Sequence, residues 1–182
     1  AGNWLRTDGV QLTGKTLGLI GFGGIAAEVA RLATGAGMRV LAWSRTPKSH
    51  PDVAFVGLDR LLAASHVVSL HLLLTDETRG FLSAARIAEM RPGAILVNTA
   101  RGPVVDEAAL LDALENGRLA AAGLDVFQNE PRMDPRFRAL GNAVLQPHNS
   151  SGTRETRMAM AELVRDNLLA HFAGRDLPTP VA

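Results

Sequence analysis

A glycine turn near the N-terminus narrows the possible folds more than any other feature. A short apolar run, Thr16-Leu17-Gly18-Leu19-Ile20, leads into Gly21-Phe22-Gly23-Gly24-Ile25-Ala26. A helical stretch over 25–34 follows, with Ile25, Val29 and Leu32 at helical spacing. Strand, glycine turn and helix in that order make a phosphate cradle. Gly21 permits the tight turn, and Gly23 carries no side chain to keep a pyrophosphate off the backbone. Ala26 at the third position is a variant that the pattern allows. The N–H groups and partial positive charge of the helix start then face the phosphates. These residues predict a dinucleotide-binding turn.

The same alternation continues along the chain. Apolar runs at 39–43, 66–70, 94–97, 121–126 and 143–145 are short and bounded by turn residues, which predicts buried strands. Helices are expected at 58–64, 83–89 and 106–115. The last has Asp106 to cap it, Glu107 at its positive end and Gly117 at its stop. The longest helix is expected from about 154 to 172, with Met158, Ala161, Leu163, Val164, Leu168 and Leu169 as its apolar stripe. Strands alternating with helices predict an α/β fold of the Rossmann type, a doubly wound parallel sheet with helices on both faces. The expected organisation is an NAD(P)-binding domain over 1–152, followed by a C-terminal helix and tail over 153–182. Polar segments at 45–51 and 128–138 read as loops at strand ends, where ligand chemistry tends to sit.

Composition removes several functional classes. The sequence holds 182 residues with a net charge of +1 and no cysteine. Disulfides, thiolate metal sites and a thiol nucleophile are therefore out of reach. Balanced charge supplies no field to select nucleic acid or an anionic membrane, so neither is an expected partner. No apolar run is long enough to span a bilayer, and no basic-then-apolar leader opens the chain, so a cytoplasmic setting is expected. No His, Asp and Glu residues stand at ligand spacing, and no metal is expected.

The end of the second run, Ala42-Trp43-Ser44-Arg45-Thr46, bears on the ribose. NAD-preferring domains place an acidic residue there, about 20 residues past the glycines. Here Ser44 occupies that position and Arg45 follows it. A 2′-phosphate can pair with Arg45 and hydrogen-bond Ser44 and Thr46. NADP(H) is therefore expected over NAD(H).

Four stretches make the chain recognisable. They are Leu12-Thr13-Gly14-Lys15-Thr16-Leu17-Gly18-Leu19-Ile20-Gly21-Phe22-Gly23, Leu96-Val97-Asn98-Thr99-Ala100-Arg101-Gly102-Pro103-Val104-Val105-Asp106-Glu107, Gly123-Leu124-Asp125-Val126-Phe127-Gln128-Asn129-Glu130-Pro131 and Gln146-Pro147-His148. On these residues the chain resembles the NAD(P)-dependent D-2-hydroxyacid dehydrogenase family over nearly its whole length. Ser44-Arg45-Thr46 looks like the NADPH-dependent glyoxylate and hydroxypyruvate reductases within it. The resemblance implies that Arg101 binds the substrate carboxylate and polarises the C2 carbonyl, that His148 is the acid–base residue, and that Glu130 pairs with His148. The chemistry is coherent: Arg offers two parallel donors to a carboxylate, and an imidazolium can protonate the alkoxide that hydride leaves at C2. All three residues fall just after the fourth, fifth and sixth strands named above, at the carboxyl edge where open parallel sheets bind ligands.

The resemblance also implies cofactor roles. Gly24 and Ile25 lie under the pyrophosphate, and Ser44, Arg45 and Thr46 at the adenosine ribose. Thr99, Arg101 and Asp125 lie toward the nicotinamide, and His148 and Ser151 complete the cofactor set. Departures from the family pattern include Gly24 where many members carry an arginine, His66 where an acidic residue is common, and Asn149-Ser150 after His148. Members place a substrate-binding segment before this domain. The chain is therefore expected to be the cofactor-binding portion of a reductase that turns a small 2-oxo acid into a D-2-hydroxy acid, as a homodimer through this domain. The competing reading is a non-catalytic NAD(P)-sensing, corepressor-like protein, against which the retained Arg101, Glu130 and His148 argue. A formate dehydrogenase pairs its histidine with glutamine, so Glu130 argues against that branch.

Overall fold

In the computed structural model, residues 9–46 and 48–180 are described. They fall into two units, one ending at His148 and the other starting at Asn149. That division comes slightly before the boundary expected after residue 152.

The first unit is built on β1 (Thr16–Ile20), which is buried along its whole length. An apolar strand without exposed alternation belongs in the middle of a parallel sheet. Six further strands join it: β2 (Arg39–Trp43), β3 (Ala54–Phe55), β4 (Val67–Leu70), β5 (Ala94–Asn98), β6 (Leu119–Leu124) and β7 (Ala143–Leu145). All pair in parallel, in the order β3-β2-β1-β4-β5-β6-β7. The order turns back between β1 and β4, so the carboxyl ends of these two strands flank the crevice of the sheet. β3 was not expected; two residues are too few to show alternation. β6 starts and ends two residues before the expected 121–126. This releases Asp125 and Val126 into the loop that follows.

Between the strands lie α1 (Gly24–Gly35), α2 (Leu58–Ala64), α3 (Ala84–Glu89) and α4 (Glu107–Glu115). The Asp106 side chain accepts the Ala109 N–H, capping α4 as its sequence implied. Two apolar clusters result. One joins Leu17, Leu19, Val40 and Ala42 to α1, and the other joins Ile20, Val68, Leu70 and Leu96 to α2, α3 and α4. The face of α1 differs in part from expectation: Val29 packs against the core, but its two companions do not. Ile25 is 73% exposed and Leu32 57%, while Ala26, Ala30 and Ala33 are buried. Small side chains let the helix lie close to the sheet, and this keeps its N-terminus at the end of β1.

The second unit contains α5 (Arg154–Phe172), capped by the Thr153 hydroxyl on the Thr156 N–H. Its expected stripe is present but uncovered: Met158, Leu163, Val164, Leu168 and Leu169 are all exposed. Among the described residues, no helix is long and apolar enough to cross a membrane.

Two histidines are part of the sheet's framework. His66 Nδ1 accepts the Thr16 N–H at 3.1 Å, so a neutral imidazole fills a role that a carboxylate could fill. His71 Nε2 lies 3.0 Å from Ser69 Oγ. Both are held below the ordinary histidine value of 6.5. Desolvation is the main cause for each, and at His66 the charges of Arg91, Lys15 and Arg39 add to it. As pH falls below about 6.5 the unfolded chain takes up these protons before the folded chain does, so stability is full above that pH and declines below it. Thermal melts between about pH 7.5 and about pH 5 should therefore show a falling Tm. The His66→Gln/His71→Gln double variant should flatten the slope. An equal slope in both proteins would refute the assignment.

Candidate active site

Every functional candidate before residue 149 lies at the carboxyl edge of the sheet or in a loop leaving it. Gly21 makes the first turn, with a φ of +88° that L side chains rarely adopt. A Cβ there would also lie 2.5 Å from the His71 carbonyl oxygen. Gly23 is the N-cap of α1, no side chain caps that helix, and no acidic residue sits in its first turn. Gly23, Gly24 and Ile25 are exposed, and a Cβ at either glycine would meet nothing within 4 Å. A bare backbone at an uncapped helix start fits a dinucleotide pyrophosphate. Glycine at 24 does not reflect lack of room for a larger side chain.

At the end of β2, Ser44 Oγ donates to the Thr46 carbonyl at 2.8 Å. The neighbouring guanidinium is already paired: Arg45 Nη1 lies 3.1 Å from Glu77 Oε2. Glu77 stands 32 residues further on, in the loop after β4. Ser44 stands where an acidic residue would, so the end of β2 itself brings no carboxylate to the ribose region. The fold brings one in, because β4 lies on the other side of β1 from β2.

The turn after β5 presents Arg101. Asn98, at the end of β5, is buried; its Nδ2 donates to the Arg101 carbonyl at 3.1 Å and its Oδ1 accepts the Ala100 N–H at 3.0 Å. This side chain closes the turn and so leaves the Arg101 guanidinium exposed, with Nη1 donating to the Ala100 carbonyl at 2.6 Å. The sequence reading did not single out Asn98, although it lies inside one of the four recognisable stretches. Thr99 is exposed beside it. Asp125 is buried, and its N–H donates to the Asn98 carbonyl at 3.0 Å.

The loops after β6 and β7 bring Glu130 and His148 together. Glu130 Oε2 is 2.7 Å from His148 Nδ1, and Glu130 Oε1 accepts the Phe127 N–H at 2.9 Å. His148 has a φ of +52°, the only positive value among the described non-glycine residues. Such a backbone is uncommon outside glycine and marks a position held by its surroundings. Burial pushes the Glu130 carboxyl up, but the hydrogen bonds from His148 and the Phe127 N–H, with the charge of His148, outweigh it and hold the group below 4.5. The pair borders a hollow of about 310 Å³ with Phe127, Pro131, Met133 and Leu145. Arg101 is not part of that lining. Pairing at Nδ1 leaves Nε2 as the nitrogen that can face a reacting atom. Ser151 belongs to the second unit, in an exposed turn ahead of α5. Among the described residues, no group of three His, Asp or Glu is placed to hold a metal ion.

Residues 1–150 match the family model described as D-isomer specific 2-hydroxyacid dehydrogenase, NAD binding domain. The chain belongs to this family. Among its relatives is a glyoxylate reductase of Pyrococcus furiosus, 46% identical over 177 residues, a span of 95% of this chain and 53% of that protein. Another is glyoxylate/hydroxypyruvate reductase B of Serratia proteamaculans, 43% identical over 185 residues, covering 96% and 57% respectively. The crystal structure of TT0316 protein from Thermus thermophilus superposes with a TM-score of 0.92 at 46% identity, covering all of this chain and 60% of that one. The chain thus spans a little over half the length of the curated relatives it matches.

Proposed function

We propose that this chain is the cofactor-binding portion of a reductase that converts a small 2-oxo acid to the D-2-hydroxy acid with NADPH. The observation that carries the reading is the Glu130–His148 pair, 2.7 Å apart at the same sheet edge as the bare glycine turn. A nicotinamide cofactor, when bound, supplies the hydride. The chain's residues supply the rest. Gly21, Gly23, Gly24 and Ile25 offer backbone to the pyrophosphate, while Thr99 and Asp125 stand toward the nicotinamide. Arg101 holds the substrate carboxylate by two parallel hydrogen bonds and polarises the C2 carbonyl. His148 donates its proton to the oxygen as negative charge develops there, and Glu130 keeps the ring oriented. Relatives named glyoxylate reductase and glyoxylate/hydroxypyruvate reductase favour short 2-oxo acids as substrates. A homodimer formed through the sheet domain and a cytoplasmic setting complete the proposal.

The NADP(H) preference rests on Arg45 with Ser44 and Thr46. Titrating the 182-residue chain with NADPH and NADH by nicotinamide fluorescence tests it. NADPH should bind more tightly, and Arg45→Gln should weaken NADPH by about fivefold to tenfold while sparing NADH. Equal or tighter binding of NADH would overturn the preference, and binding of neither would overturn the cofactor role.

A further inference from the structure

We propose that Glu77 is a specificity-determining residue of the adenosine-ribose site, competing with a cofactor 2′-phosphate for the Arg45 guanidinium. The inference rests on the reading of Arg45 as the 2′-phosphate ligand. Its basis is the 3.1 Å contact between Arg45 Nη1 and Glu77 Oε2.

The loops carrying these two residues leave from either side of one glycine turn. The Gly21 N–H donates to the Trp43 carbonyl, directly before the Ser44-Arg45-Thr46 segment. On the other side, Gly21 abuts the His71 carbonyl, where the loop toward Glu77 begins. That loop holds its own shape. Thr78 Oγ1 accepts the Thr75 N–H at 2.8 Å and donates to the Leu73 carbonyl at 2.6 Å, and the Arg79 N–H donates to the Thr75 carbonyl at 3.0 Å. Glu77 is therefore carried on a tied turn and not on a loose strand of loop.

The consequence differs between the two cofactors. A 2′-phosphate must take the guanidinium from Glu77 and then remain near a carboxylate of like charge. A ribose with a 2′-hydroxyl makes no such demand. Glu77 thus weakens NADPH binding and leaves NADH binding nearly untouched. Both side chains are well exposed, 80% for Arg45 and 75% for Glu77, so the competition is modest.

The test is cofactor titration of four proteins: wild type, Glu77→Gln, Arg45→Gln and the double variant, each checked for folding by circular dichroism. Glu77→Gln should tighten NADPH about threefold and change NADH less than about 1.5-fold. In the Arg45→Gln background the same substitution should have almost no effect on NADPH. An equal shift for both cofactors, no shift, or a shift undiminished without Arg45 overturns the competition. If Arg45→Gln alone leaves NADPH affinity unchanged, the reading of Arg45 is wrong and the proposal falls with it.

Discussion

His148→Asn lowers 2-oxo acid reduction by about a thousandfold in the complete reductase of which we propose this chain is a part, while NADPH affinity changes little. Asparagine is the informative replacement because it tolerates the left-handed backbone better than other non-glycine residues, and His148 sits at a φ of +52°. It retains polarity but cannot donate an ionisable proton to an oxygen at C2. Glu130→Gln should cost less, about a hundredfold, since the amide oxygen can still accept the Phe127 N–H while the charge beside the imidazole is lost. Rates of NADPH oxidation with glyoxylate or hydroxypyruvate, set beside cofactor titrations, check both. Unchanged turnover in His148→Asn would remove the acid–base role. A parallel loss of NADPH binding would show that the substitution acts through the cofactor contact or the fold and not through proton transfer alone.

Gly102→Ala destabilises the chain by about 3 kcal/mol or more. A Cβ at this residue would lie 2.0 Å from the Phe127 carbonyl carbon and 2.1 Å from its oxygen. Both are backbone atoms, so no side-chain rotation relieves the clash. The loop after β6 would have to move away from the turn after β5. That movement also breaks two ties of Gln128: its Nε2 on the Val105 carbonyl at 2.8 Å, and its N–H on the Glu107 carboxylate at the start of α4 at 2.9 Å. Arg101 precedes Gly102 and Glu130 lies two residues beyond Gln128, so the substitution disturbs both loops of the proposed site as it weakens the fold. Urea unfolding followed by circular dichroism measures the effect. A midpoint equal to wild type would show that the loops relax freely.

Much of the architecture was legible because it is local. Hydrophobic runs bounded by glycine and polar residues marked six of the seven strands, and only the two-residue β3 escaped. Asp106 caps α4 through a hydrogen bond that spans three residues, as its sequence implied; Thr153 caps α5 over the same span, though the sequence reading did not name it. The buried face of α1 was less legible. Ile25 and Leu32 have the period of a core stripe, yet alanines occupy the core, because closeness between helix and sheet matters there more than apolar area. The candidate site was legible through resemblance to a family more than through spacing. Neither Arg101, Glu130 nor His148 carries a local signal that separates it from a surface residue.

By itself, then, the sequence determined the order of strand, turn and helix, the glycine that the turn demands and the Asp106 cap of α4. Tertiary structure decided which distant side chains meet. The strand order puts β1 between β2 and β4, so Arg45 and Glu77, 32 residues apart, become partners. The adjacency of β6 and β7 brings the loops after them together, and Glu130 reaches His148 across 18 residues. Contacts within one turn of helix or one strand end follow from backbone geometry. Contacts between loops follow from the order in which strands pair, which no local window of residues contains.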